Sequence, residues 1–92
     1  MVRKQSRATT DEPYALLIYS YQADNLDGFN EKALFIFADS DEDAKERSLE
    51  VLKKAKQRLL KKGAKLIDAQ LSSNYPPMHD IAFWKQEELM NV

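Results

Sequence analysis

Hydrophobic positions along this chain repeat with two different periods. Over 14–22 the segment YALLIYSYQ is rich in aromatic and β-branched types, and both of its alternating sets, Tyr14-Leu16-Ile18-Ser20 and Ala15-Leu17-Tyr19-Tyr21, are largely apolar. That pattern predicts a strand flanked by partners or covered on both sides rather than an edge strand with one wet face. Asp, Asn and Gly crowd the next segment, ADNLDGFNE, which predicts a loop with a tight turn at Asp27-Gly28. KALFIFA at 32–38 predicts a second strand, with Leu34 and Ile36 on one face and Phe35 and Phe37 on the other. So short a link implies an antiparallel hairpin, because a parallel crossover needs about a dozen residues or more.

The period then lengthens. Ala44, Ser48, Val51, Leu52, Ala55 and Leu59 recur at steps of three and four and predict one long helix with a single apolar stripe. Asp39 or Ser40 is placed to cap it, the Ser40–Asp43 spacing resembles a capping box, and Gly63 is placed to end it. Alternation returns in AKLIDAQLSS at 64–73, which predicts a half-exposed third strand with Ile67, Ala69 and Leu71 on the core side. Pro76 and Pro77 break the chain. The last segment, DIAFWKQEELMNV, reads as a strand at 81–86 rather than a helix capped by Asp80, since Glu87 and Glu88 would lie at the wrong end of such a helix. The expected fold is α+β: a three- or four-stranded antiparallel sheet (ββαβ or ββαββ) against one long amphipathic helix. Residues 1–12 are polar and aperiodic and are expected to form a flexible tail, with 13–92 a single domain.

Composition narrows the chemistry. The 92 residues are 43% hydrophobic and 32% charged, which fits a small soluble domain. There is no cysteine, so disulfides, thiolate metal sites and thiol nucleophiles are excluded. The bases near the start have no apolar run behind them of the kind a signal peptide needs, and ALLIY is far short of the roughly 20 residues that span a bilayer. A cytoplasmic location without membrane attachment is the expectation. His79 is the only histidine, with Asp80 beside it but no nucleophile motif; the two glycines cannot form a phosphate-cradling loop, and the acids at 24, 27 and 31 lack calcium-loop spacing. Neither an enzyme nor a cofactor is expected.

Charge is unevenly distributed although the net is only -1. Residues 39–50 hold six acids and two bases, and 51–65 hold seven bases and no acid. The helix macrodipole favours that order, at about 0.3–1 kcal/mol per well-placed charge. Pairs at Asp43–Arg47 and Glu50–Lys54 would each add roughly 0.2–0.5 kcal/mol. Helix electrostatics thus accounts for most of the pattern. The alternative is a weak nucleic-acid contact made by Lys53, Lys54, Arg58, Lys61 and Lys65, aided by Arg3, Lys4 and Arg7.

Two apolar features remain. Tyr19, Tyr21, Phe35 and Phe37 are expected to pack under the helix; KALFIFADSDEDA does not match an RNA-recognition strand, because Ala33 to Ile36 fail to supply glycine and aromatics in register. Leu49 and Leu60 lie more than about 100° from the centre of the helix stripe. With Phe83 and Trp84 they are candidate protein-interface residues. The expected function is therefore a small non-catalytic protein-interaction or assembly module, homodimeric in one form, with nucleic-acid binding as the alternative.

Overall fold

Ser40 opens the long helix. Its backbone is extended and its Oγ accepts a hydrogen bond from the Asp43 amide at 3.1 Å, satisfying one of the free donors of the first turn. Asp43 is too short to close the reciprocal bond on Ser40; its Oδ2 accepts instead from the amide of Asp39, at 3.0 Å. The helix, α1, runs Asp41–Lys61, and Gly63 beyond it takes φ 73°, the left-handed conformation that closes the last carbonyls. At 1.5 Å per residue it is a rod of about 32 Å.

The computed structural model describes residues 12–23, 28–76 and 78–92. Around α1 lie β1 (Ala15–Ala23), β2 (Asn30–Ile36), β3 (Ala64–Ser73), β4 (Asp80–Trp84) and a short terminal helix α2 (Gln86–Leu89). The strands form one antiparallel sheet in the order β2-β1-β3-β4, so the expected ββαββ form is the one adopted. The expected tail, apart from Glu12, and the expected turn residue Asp27 lie outside the described residues. No helix among the described residues is long and apolar enough to cross a membrane.

The core lies between α1 and one face of the sheet. Leu17 and Leu71 from the strands, Leu52 from α1 and Leu89 from α2 are its largest fully buried side chains, each worth roughly 1.5–3 kcal/mol of burial. Ala44, Ser48 and Ala55 on the buried side of α1 are small, and α1 lies chiefly over β3. An antiparallel sheet of four strands is about 19 Å wide at ~4.8 Å spacing, whereas one helix is only about 10–12 Å across. One helix cannot cover it. The β4 side is closed by α2, with Lys56 Nζ donating to the carbonyls of Leu89, Met90 and Val92 at 3.0, 2.8 and 3.3 Å. The inner side of β2 is not closed in this way.

Several expectations are corrected. In β3 the partner of Ser20 is Asp68 but that of Tyr21 is Leu66, so Ile67 is a bulge. The alternation slips there: Ala69 and Leu71 are buried as expected, but Ala64 and Leu66 take the remaining core places and Ile67 is half-buried. The terminal strand stops at Trp84, and a helical turn follows instead of strand at 85–86. Glu87 and Glu88 fall in its first turn, the favourable end, and Glu88 Oε1 accepts from the Lys85 amide at 2.9 Å. Asp43 and Arg47 pair at 3.1 Å, but Glu50 and Lys54 form no ion pair among the described residues.

Candidate functional site

Strand register sorts the aromatics onto opposite sides of the sheet. Facing α1 are the rows Leu34–Leu17–Leu71–Ala82 and Lys32–Tyr19–Ala69–Trp84. Facing away are the rows Phe35–Leu16–Ser72–Asp80 and Ala33–Ile18–Gln70–Phe83, with Gln70 Nε2 donating to Asp80 Oδ1 across this face. Phe35 and Phe37 therefore do not pack under the helix, contrary to expectation; Phe35 is 61% exposed and Phe83 54% exposed on the uncovered face. Leu16 and Ile18, between them on β1, are half-buried by their neighbours alone. Of the two apolar sets of β1, the inner one (Ala15, Leu17, Tyr19) is buried in the core, while Leu16 and Ile18 of the outer one have no helix over them among the described residues.

The residues expected to form a protein interface are not brought together. Trp84 is 8% exposed, held in the inner row against Ala69, and its ring belongs to the core. Leu49 is half-buried and packs against the same core. Leu60 is 62% exposed and borders a cavity of about 340 Å³ with Leu66, Leu89 and Met90 beside the terminal segment. Phe83 alone lies on the uncovered face. The off-stripe angle misplaced Leu49 because the packed side of α1 is broader than the stripe that the periodicity marks.

The basic candidates are likewise dispersed. Lys53, Lys54 and Lys61 are exposed on α1. Arg58 points to a second cavity near Tyr21, and Lys65 borders the cavity beside α2. They form no single ridge. Arg3, Lys4 and Arg7 lie outside the described residues.

The fold assembles one polar cluster that the sequence did not announce. Tyr14, just before β1, donates its hydroxyl to Asp41 Oδ1 at 2.7 Å, and His79, just before β4, places Nε2 3.2 Å from Asp41 Oδ2. Hydrogen bonds from Tyr14 and His79, with the charge of His79, lower the Asp41 pKa. Donating that bond stabilises the protonated phenol, so the Tyr14 pKa rises, with desolvation and the negative charge of Asp41 adding to the effect. A carboxylate orienting a histidine is half of a relay for nucleophilic catalysis, but Asp41 is shared with a tyrosine and faces the favourable end of α1. The cluster ties the ends of three elements together. Tyr75 stands edge-on to Tyr14, with ring centroids 6.2 Å apart, and its own pKa is raised by desolvation and by Glu12. No group of His, Asp and Glu able to hold a metal is present among the described residues.

Comparison with protein-family models, curated proteins and solved structures finds no match to this chain.

Proposed function

We propose that the chain is a non-catalytic assembly module that associates with a second copy of itself through the uncovered face of its sheet. The observation that carries this reading is the pair of exposed rings, Phe35 and Phe83, on one face with Leu16 and Ile18 between them. The face is self-complementary. A twofold axis running along the strands sets β4 of one copy over β2 of the other, so Phe83 of each lies over Ala33 of its mate, one row (about 7 Å along the strand) from the mate's Phe35. Four strands and about seven residues per strand give a face of about 19 by 23 Å, small against the roughly 800 Å² that each partner commonly buries. Association itself costs about 4–15 kcal/mol. The expected dimer is weak, with a dissociation constant on the order of micromolar. Absence of cysteine fits a reducing cytoplasmic setting.

Sedimentation equilibrium from about 5 to 500 μM, spanning the micromolar regime, tests the proposal. The expected result is a rising average mass that Phe35→Glu with Phe83→Glu, which sets like charges against each other across the interface, returns to monomer, while far-UV circular dichroism is unchanged because both side chains point away from the core. Leu60→Glu should leave the dimer intact. A wild-type monomer throughout the range, or loss of the dimer on changing Leu60 alone, refutes it.

A further inference from the structure

The inner end of β2, which α1 leaves open, holds a cavity of about 250 Å³ between the sheet and the C-terminal half of the helix. Its charged walls are all cationic: Lys32 from β2, and Arg58 and Lys62 from the edge of α1, with no acid lining it among the described residues. None of the three is ion-paired among the described residues. Tyr19 forms the floor. The residue is 3% exposed overall, its hydroxyl bonds to no described residue and is not itself buried, and it borders the cavity. The Tyr21 ring lies beside it, with centroids 6.1 Å apart.

We propose that this cavity binds a small phosphorylated molecule, its phosphate held by Lys32, Arg58 and Lys62 and by the Tyr19 hydroxyl. The tyrosine supplies a pre-positioned donor on a buried, rigid ring, and arginine supplies a planar fork matched to phosphate oxygens. The carbonyl end of α1 is near, but its macrodipole amounts to only about half a negative charge, against three positive side chains. The charge that remains calls for an anion. Helix electrostatics explains Arg58 and Lys62 alone; it does not explain Lys32, which ends the inner apolar run of β2 (Ile36, Leu34) directly opposite Tyr19. The volume lies below the ~300–1,000 Å³ of most small-molecule sites, so a phosphate with a modest remainder fits, and a strand of nucleic acid does not.

Titration of the full chain with inorganic phosphate, pyrophosphate and ribose 5-phosphate, followed by amide chemical shifts at low salt, tests this. Saturable shifts are expected at Tyr19, Lys32, Arg58 and Lys62, with a dissociation constant below about 1 mM for pyrophosphate. Arg58→Gln and Lys62→Gln should each weaken binding by about tenfold or more, as for loss of a charge-assisted bond. Tyr19→Phe keeps the ring and the fold and should weaken it by about threefold to tenfold. Lys53→Gln with Lys54→Gln should change nothing. The proposal is overturned by the absence of saturation at about 20 mM pyrophosphate, by equal losses at Lys53 and Lys54, or by an oligonucleotide that binds and is not displaced by pyrophosphate.

Discussion

Ser48 is fully buried in the middle of α1, and its hydroxyl has no hydrogen-bond partner among the described residues. Leaving a buried donor and acceptor unsatisfied costs about 1–3 kcal/mol. Serine also forms helix less readily than alanine, by a few tenths of a kcal/mol. Ser48→Ala keeps the small volume that lets α1 approach the sheet and removes both penalties. The expected gain is about 1–2 kcal/mol, the low side of the hydroxyl range, since neighbours relax and the substitution acts on the unfolded state as well. For a domain of this size that corresponds to a rise in Tm of roughly 4–8 °C per kcal/mol. Urea unfolding followed by circular dichroism, at fixed protein concentration so that self-association does not contribute, measures it directly. A loss of about 0.5 kcal/mol or more refutes the reasoning, and would place the hydroxyl in a bond to a carbonyl of the preceding turn.

Three further perturbations address the ends of the elements. Asp41 has a folded pKa below its ordinary 3.8, so its stabilising effect is full above that value and is lost as pH falls through the folded one; Tyr14 has a folded pKa above 10.0, so its effect is full below 10.0 and is lost as pH rises through the folded value. Asp41→Asn should flatten the acid limb of a stability–pH curve and Tyr14→Phe the alkaline limb, and limbs unchanged in both variants would show that the cluster contributes nothing to folding. Lys56→Met should speed amide exchange over 86–92 while leaving the sheet protected, because three carbonyls lose their donor; unchanged protection would mean that Leu89 alone anchors the segment. Gly63→Ala should cost about 1 kcal/mol in unfolding free energy, since φ 73° is strained for any residue with a Cβ; no loss would place the end of α1 elsewhere.

Much of this architecture is legible in local pattern. The helix from Ser40 to Gly63 follows from its caps and one stripe, and the antiparallel hairpin of β1 and β2 follows from the short link between them. The bulge at Ile67 is not legible, because a slip in alternation depends on which residues of β1 stand opposite. Nor is the end of β4, where Glu87 and Glu88 look wrong for a helix from Asp80 and are right for one from Gln86.

The candidate sites divide in the same way. The sequence by itself determined that β1 and β2 have two apolar faces and predicted one long helix. Only the tertiary structure decided that Phe35 and Phe83 share the uncovered face, that Trp84 and Leu49 belong to the core, and that Asp41 meets Tyr14 and His79. The reason is physical: periodicity assigns a side chain to a face of its own element, whereas cover, cavity and charge partner depend on which elements the sheet order sets side by side and on how far a single rod can reach across four strands.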